Sequence, residues 1–363
     1  MTIILQKPVI AITGSSGKTT TKEMLASILK LRWKTYKSQA NRNNRQHMKQ
    51  HVKKIRPDHQ AVVLEFGMSF KGNLRQNCHI IQPNISVITM IGTAHIGNLG
   101  GSVPALIRAK SEIIQNMKPS GTLFLNSDDK NSKHLDFGRF KGQIVKIGIR
   151  HEADYQVTGV QFVQGGMRFK VVMNDVSCQF YIPIYGSHNV YNALFAIAVA
   201  DHLGFSPEQI KQGLRRYHKQ MGRLMVYRLK NEIRVIDDTF NANPNSVKAA
   251  LNVLNQIGGH NRIAVLGSMS ELGKYNQRGH KEVGKYVGKN RVSRLFTYGK
   301  SARIIRVTAI SNGFPAGRAV HTNDREVLHK KLKATIYPGT IILVKGSHDK
   351  QMYKTVNYLK KNI

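Results

Sequence analysis

Val9-Ile10-Ala11-Ile12-Thr13-Gly14-Ser15-Ser16-Gly17-Lys18-Thr19-Thr20 is the stretch that decides how this chain folds. The apolar run at 9–12 reads as a buried strand, and Met24, Leu25, Ile28 and Leu29 then recur at helical spacing on one face. The segment between them is a glycine-bounded turn from strand to helix. Such a turn gathers backbone N–H groups and a helix N-terminus around one anionic pocket. Gly14, Ser15, Ser16, Gly17 and Thr20 form the cradle, Lys18 reaches the terminal phosphates of a nucleotide, and the Thr19 hydroxyl is placed to meet Mg²⁺. The common phosphate loop has a further glycine where this chain has Ile12, so the loop is a shorter variant, G-x-x-G-K-T-T. The alternative is a chance Gly-Lys-Thr at a helix cap, and the flanking strand and helix count against it.

Outward from that loop, short β-rich runs alternate with helix-length segments. Ala61–Leu64, Ile85–Ile88 and Thr122–Leu125 continue the pattern, which predicts a parallel sheet covered on both faces. Residues 154–183 differ: Met167–Met173 and Cys178–Ile182 flank a polar Asn174-Asp175 turn and predict a small antiparallel addition. A helix is expected over 189–203. From Met221 the alternation restarts, with strands at Leu224–Leu229, Arg234–Ile236, Ile263–Leu266, Leu295–Tyr298 and Ile341–Val344. Helices are expected near 245–256, 278–288, 301–311, 324–335 and 350–360. The fold class is therefore α/β. A parallel-sheet ATPase-type domain over 1–219 is followed by a Rossmann-like α/β domain over 220–363.

Composition narrows the function. No apolar run approaches the ~20 residues of a membrane span, and residues 1–8 do not read as a signal peptide. Cys78 and Cys178 stand far apart without metal-ligand spacing, which fits a reduced cytoplasm. The net charge of +36 divides evenly, with 30 basic against 12 acidic residues in 1–219 and 26 against 8 in 220–363. Nucleic-acid readers concentrate charge on one face, so this even spread disfavours nucleic acid as the partner.

In open α/β sheets ligands meet residues just past the carboxyl ends of strands. Glu65 follows the strand at 61–64, and His95 in Ile91-Gly92-Thr93-Ala94-His95 follows the strand at 85–88, both on the edge of Lys18 and Thr19. A carboxylate and an imidazole there suit a Mg²⁺ shell. Taken singly, Glu65 reads equally as a surface acid and His95 as a satisfied loop histidine. Lys110, in Arg108-Ala109-Lys110-Ser111-Glu112-Ile113, lies on a helix expected to pass near His95. A lysine beside metal ions makes sense if CO₂ converts its amine to an anionic carbamate. Without that context it reads as a salt-bridging surface lysine.

Taken in order along the chain, these motifs resemble the Mur ligase superfamily, and within it the MurF branch that adds the terminal dipeptide to peptidoglycan precursors. The resemblance is carried by residues 13–20, Asn41-Arg42-Asn43-Asn44, Glu65-Phe66-Gly67-Met68, 91–95 and 108–113. It continues through Gly186-Ser187-His188-Asn189-Val190-Tyr191-Asn192, Gly222-Arg223 and Asp237-Asp238-Thr239-Phe240-Asn241. Glu271-Leu272-Gly273 and Val344-Lys345-Gly346-Ser347 complete it.

The resemblance implies an ATP-dependent, ADP-forming ligase that joins a carboxylate to an amine through an acyl phosphate. By the same resemblance Lys18 binds the β- and γ-phosphates, and Thr19 and Glu65 hold one Mg²⁺. His95 and a carbamylated Lys110 hold a second, and Asn189 and Asn192 lie on the adenine side. Arg223 resembles a γ-phosphate-binding arginine and Asp238 a ribose-binding aspartate, so the site is expected to be complete only when the two domains close. The expected partners are a small acidic acceptor and an amine or amino-acid donor, with no membrane.

Departures from the branch concentrate on the acceptor side. The branch carries a further N-terminal domain that grips a uridine nucleotide, whereas here the phosphate loop starts at residue 13, so a chain without that domain is expected. Arg45-Gln46-His47-Met48, Gly72-Asn73-Leu74 and Ser268 also differ from its usual residues. These changes predict a non-standard acidic acceptor. Alternatives are cell-wall ligation with the missing domain supplied by a partner, a nucleic-acid-dependent NTPase, and an inactive binding paralogue. The retained Lys18, Glu65, His95 and Lys110 count against the last.

Overall fold

The computed structural model describes residues 2–173 and 175–363. It divides into two units, one ending at His218 and the other spanning Lys219–Ile363.

The first unit is built on β1 (Val9–Thr13), every residue of which is buried. Next come α1 (Lys18–Leu29), β2 (Thr35–Lys37), α2 (Arg45–Val52), β3 (Ala61–Glu65), α3 (Asn73–Ile80) and β4 (Ile85–Ile88). Then follow α4 (Val103–Asn116), β5 (Thr122–Asn126), β6 (Gln143–Gly148), β7 (Tyr155–Val163), β8 (Gly166–Met173) and β9 (Val176–Ile182). The unit closes with α5 (Ser187–His202) and α6 (Pro207–Arg215). The nine strands order as β2-β3-β1-β4-β5-β6-β7-β8-β9. β2 through β7 run parallel in that order, and β8 and β9 are antiparallel additions. Of the turn between those last two strands, Asn174 lies outside the described residues.

Because β1 pairs with β3 on one side and β4 on the other, the chain reverses its winding direction at β1. Its carboxyl end is therefore the switch point where such sheets bind ligands. The buried strands read as continuous apolar runs because helices cover both faces. Val9, Ala11, Val62 and Leu64 pack with Met48, Leu74, Leu106 and Ile113 from α2, α3 and α4. α1 and α5 pack against each other, and Met24, Leu25, Ile28, Val190, Leu194 and Ile197 are buried there.

Three strands of this sheet carry no clear signal in the sequence, among them β7, which has one buried residue among its nine. β2 is only Thr-Tyr-Lys at the sheet edge, and β6 has three exposed residues among its six. The alternation rule sees a strand only when at least one face is wholly apolar. One boundary is also corrected. Glu65 is the last residue of β3, in register with Ile12, rather than the first residue after it.

The second unit contains β10 (Met225–Arg228), β11 (Arg234–Asp238), α7 (Pro244–Ile257), β12 (Arg262–Gly267), α8 (Asn276–Gly288) and β13 (Arg294–Tyr298). It continues with α9 (Arg303–Ile310), β14 (Ala319–Thr322), α10 (Arg325–Lys333), β15 (Ile341–Lys345) and α11 (Tyr353–Asn362). The order is β10-β11-β15-β12-β13-β14, parallel except for β10. α7 starts on a reciprocal cap in which Asn243 accepts from the Ser246 N–H at 2.9 Å and Ser246 accepts from the Asn243 N–H at 3.0 Å. That pairing fixes the helix start just past β11. Among the described residues no helix is long and apolar enough to cross a membrane, and both cysteines are buried free thiols.

Candidate active site

The phosphate loop leaves β1 at Thr13 and enters α1 at Lys18. Its two glycines are required by the space around them. Gly14 has φ +148° and Gly17 has φ +87°; a Cβ at Gly14 would lie 1.9 Å from Thr89 Oγ1, and one at Gly17 would lie 2.2 Å from Asn192 Oδ1. Only glycine accepts both the dihedrals and the close approach. Thr89 Oγ1 donates to the Ser16 carbonyl at 2.5 Å, and the Ser15 N–H donates to the Met90 carbonyl at 2.9 Å, so the end of β4 holds the loop from below.

Lys18 Nζ donates to the Gly14 carbonyl at 2.9 Å, closing the side chain over its own loop. Among the described residues the buried hydroxyl oxygens of Thr13 and Ser15 have no hydrogen-bond partner. Buried polar atoms are rarely left in that state, and oxygens of a bound phosphate or its water would satisfy them.

Thr19 Oγ1 donates to Glu65 Oε2 at 2.8 Å. Glu65 is 1% exposed, which removes the surface-acid reading. Asn43 Nδ2 donates to its other oxygen at 2.8 Å, and its backbone N–H donates to Ser38 Oγ at 2.9 Å. Mg²⁺ takes hard oxygen ligands, usually one or two from protein and the rest from phosphate and water. A buried hydroxyl and carboxylate side by side at the mouth of a phosphate loop fit that demand. Among the described residues no group of three or more His, Cys, Asp or Glu could hold a metal ion by itself.

His95 follows β4 on the same edge and adopts φ +59°, a left-handed conformation rare outside glycine. Strain of this kind, of order 1–3 kcal/mol, concentrates at functional positions. The turn it opens, residues 96–99, packs on α4.

Lys110 sits in the middle of α4 and is 2% exposed, which overturns the surface-lysine reading. Burial pushes its amine down from the ordinary lysine value to about 7; the positive charge of Lys18 acts in the same direction and Asp129 opposes it. The structure thus brings Lys18, Lys110 and Asp129 within one electrostatic field. An amine with a substantial neutral fraction near pH 7 is a nucleophile, as carbamate formation requires.

Asn189 and Asn192 are both buried. Asn192 Nδ2 donates to Asn189 Oδ1 at 2.9 Å, and Asn189 Nδ2 donates to the Tyr185 carbonyl at 2.7 Å. With Asn192 pressed on Gly17, the pair buttresses the phosphate loop from α5.

Three residues escaped the sequence reading. Asp129 accepts from the Ile91 N–H at 2.7 Å and from Ser132 Oγ at 2.9 Å, which pins the segment leading to His95. Asp128 accepts from the N–H groups of Ile149, Arg150 and His151 and from the Tyr191 hydroxyl. Glu112 accepts from the Gly72 and Arg75 N–H groups at 2.6 and 3.3 Å, capping α3 from α4. The acidic pair just past β5 was the available signal for the first two. Nothing in the local sequence reveals the third, because its partner lies 40 residues away.

In the second unit, the Arg223 guanidinium stacks 4.1 Å from the Phe240 ring centroid. Asp238 Oδ2 accepts from Lys345 Nζ at 2.6 Å, and Lys345 also donates to the Asn241 carbonyl at 2.8 Å. Lys345 is 3% exposed, so the lysine of the Val-Lys-Gly-Ser motif orients Asp238 from the next strand.

Residues 12–200 match the Mur ligase middle domain and residues 222–348 the Mur ligase, glutamate ligase domain. The chain is 32% identical to UDP-N-acetylmuramoyl-tripeptide–D-alanyl-D-alanine ligase of Bacillus subtilis (strain 168), over 97% of this chain and 75% of that protein. A crystal structure of MurF from Acinetobacter baumannii superposes with a TM-score of 0.89 at 31% identity, covering 98% of this chain and 77% of that one. The ADP complex of MurF ligase from Thermotoga maritima superposes at 0.86 over 98% of this chain and 80% of that one. At 22% identity this likeness bears on the fold alone.

Proposed function

The chain belongs to the Mur ligase family of ATP-dependent ligases, and from that premise we propose that it joins an acidic acceptor to an amine at the loop described above. The observation that carries this reading is the cluster of Lys18, Thr19, Glu65 and the buried, electrostatically perturbed Lys110 at the carboxyl end of β1. Lys18 is assigned to the β- and γ-phosphates, Gly14–Gly17 and Thr20 to the phosphate cradle, and Asn189 and Asn192 to the nucleotide side of the loop. Arg223 and Asp238 are assigned to the same nucleotide by the likeness of their motifs. Thr19 and Glu65 would hold one Mg²⁺, and His95 with Lys110 a second.

Bound there, Mg²⁺ supplies charge neutralisation on the transferring phosphoryl group. The chain's own residues do the rest. The loop N–H groups and Lys18 hold the γ-phosphoryl group for in-line attack by an acceptor carboxylate oxygen. That oxygen bonds to phosphorus as the bond to ADP breaks, giving an acyl phosphate. The amine nitrogen then bonds to the acyl carbon, phosphate leaves, and the amine proton passes to solvent. Positioning of this kind lowers barriers by up to about 7–11 kcal/mol. Lys110 nitrogen adds to CO₂ and loses a proton, and the resulting carbamate offers oxygen where the amine could not.

The relatives' names make UDP-N-acetylmuramoyl tripeptide and D-alanyl-D-alanine the first substrate pair to test. One observation bears on whether the acceptor departs from that standard. The altered segments 45–48 and 72–74 lie on helices α2 and α3, which pack on each other. Arg42, Arg45 and Lys71 are exposed beside them, which favours an acidic acceptor. Steady ADP release with a panel of carboxylate and amine pairs tests the reading. Turnover that requires both an acid and an amine supports it, and turnover with ATP alone or with added nucleic acid overturns it.

A further inference from the structure

Lys18 and Lys22 are four residues apart on α1 and so share one face. Lys18 reaches back over the phosphate loop, whereas Lys22 lies one turn deeper and is 0% exposed. An ammonium group is not buried without partners. Lys22 Nζ donates to the Ala40 carbonyl at 2.6 Å, and lies 3.2 Å from Glu23 Oε1 and 3.8 Å from Glu65 Oε2. Glu23 has a second cation in Lys37. The Ala40 carbonyl and Glu65 are therefore the partners that depend on Lys22.

Ala40 has φ +43°, a left-handed conformation that costs an L-residue roughly 1–2 kcal/mol. Its carbonyl is turned to the ammonium in that conformation. Ala40 sits between Ser38, whose hydroxyl accepts from the Glu65 N–H, and Asn43, whose amide donates to Glu65 Oε1. The Asn43 carbonyl in turn accepts from the Gly67 N–H at 2.9 Å, just past Glu65. One buried cation thus faces the carboxylate directly and also holds the loop that grips its other oxygen and its backbone.

We propose that Lys22 and Asn43 are positioning residues that hold the Glu65 carboxylate in the orientation needed to receive the nucleotide's metal ion. The proposal rests on the assignment of Glu65 to Mg²⁺ made above. Neither residue needs to touch nucleotide or metal. The ammonium fixes where the carboxylate stands, and the Asn43 amide fixes which oxygen remains turned toward Thr19. Loss of a partner that orients a metal-binding side chain typically costs about 10–100-fold in metal affinity.

The test is the binding of ADP across a Mg²⁺ series, followed by calorimetry, with the affinity in EDTA measured alongside. Lys22→Met is expected to raise the Mg²⁺ concentration for half-maximal enhancement about tenfold or more, and to leave ADP affinity in EDTA unchanged. Asn43→Ala is expected to move in the same direction by less, because the ammonium remains. Glu65→Gln is the reference.

If Glu65→Gln raises the Mg²⁺ requirement while folded Lys22→Met and Asn43→Ala keep the wild-type value, the positioning role is overturned and the metal assignment stands. If Glu65→Gln also leaves the requirement unchanged, the metal assignment itself fails and takes the positioning role with it. Should Lys22→Met not fold, Asn43→Ala decides alone, since it is half-buried in a loop and removes no charge. A loss of affinity in EDTA equal to that in Mg²⁺ would assign the pair to loop structure and also overturn the proposal.

Discussion

Replacing Lys110 with methionine should make the protein more stable and abolish ligation. The side chain is 2% exposed in the middle of α4. Burial first, and Lys18 second, move its amine from 10.5 in an open chain to about 7. At about 1.4 kcal/mol per pKa unit, folding at neutral pH gives up a proton at a cost on the order of a few kcal/mol. Methionine matches the volume and needs no proton removed, so Lys110→Met should gain stability on that order at pH 7.

The pH dependence has a definite sign. The unfolded chain holds this proton up to about 10.5 and the folded chain releases it near 7. The contribution of Lys110 to stability therefore improves as pH rises through that window and is lost as pH falls back toward 7. Below 7 both states hold the proton and the dependence ends. Urea unfolding of wild type and variant, in bicarbonate-free buffer at pH 7 and pH 9, reads both effects. A variant less stable than wild type at pH 7, with the wild-type slope between the two pH values, would refute the reasoning. So would full ligase activity in the variant.

Other consequences can be checked separately. Gly17→Ala forces a left-handed alanine at φ +87° into Asn192 Oδ1, and should cost at least about 1–2 kcal/mol; binding of a fluorescent ADP analogue should fall below detection while the rest of the fold persists by circular dichroism. Lys345→Met strands the partly buried Asp238 carboxylate, and because solvent still reaches it the cost should fall below the about 3–5 kcal/mol of a fully buried pair; thermal unfolding should show that loss, and adding Asp238→Asn should restore much of it. Asp128 is partly buried, which opposes ionisation, yet bonds from Tyr191, the Ile149 and Arg150 N–H groups and His151 hold its carboxyl well below the usual range. Its contribution is complete above the unfolded value of about 3.9 and is lost as pH falls below it. The stability gap between wild type and Asp128→Asn should therefore be largest near pH 5 to 7 and close on acidification.

How much of this was legible in the chain follows from the range of each interaction. The phosphate loop, α1 and the parallel strands are local patterns of apolar period and glycine placement, whereas the switch point at β1 emerges only from the strand order. Glu65 and His95 could be placed because one ends a recognisable strand and the other closely follows one. The burial of Lys110 could not be read, because a lysine in a helix is amphipathic by itself and only the packing of α4 against the sheet decides which way it faces. The polar groups that hold the site together, the acceptors Asp129 and Glu112 and the donor Lys345, were given no role for a related reason. Each bonds to partners 3 to 107 positions away, and a single chain without its fold carries no record of such pairings. β2, β6, β7 and β14 went unseen because edge strands and half-exposed strands do not keep a clean apolar face.

The central claim is that an acceptor carboxylate is activated by phosphoryl transfer from ATP. The most direct measurement uses an acceptor whose carboxylate oxygens are ¹⁸O, first UDP-N-acetylmuramoyl tripeptide and then the other acids of the panel, with D-alanyl-D-alanine, ATP and Mg²⁺. The inorganic phosphate is analysed by mass. One ¹⁸O is expected in each phosphate released, in step with amide product and ADP, because the bridging oxygen of the acyl phosphate leaves with the phosphate. Unlabelled phosphate formed at the rate of ADP release would mean that water, not a carboxylate, attacks the nucleotide, and would contradict it.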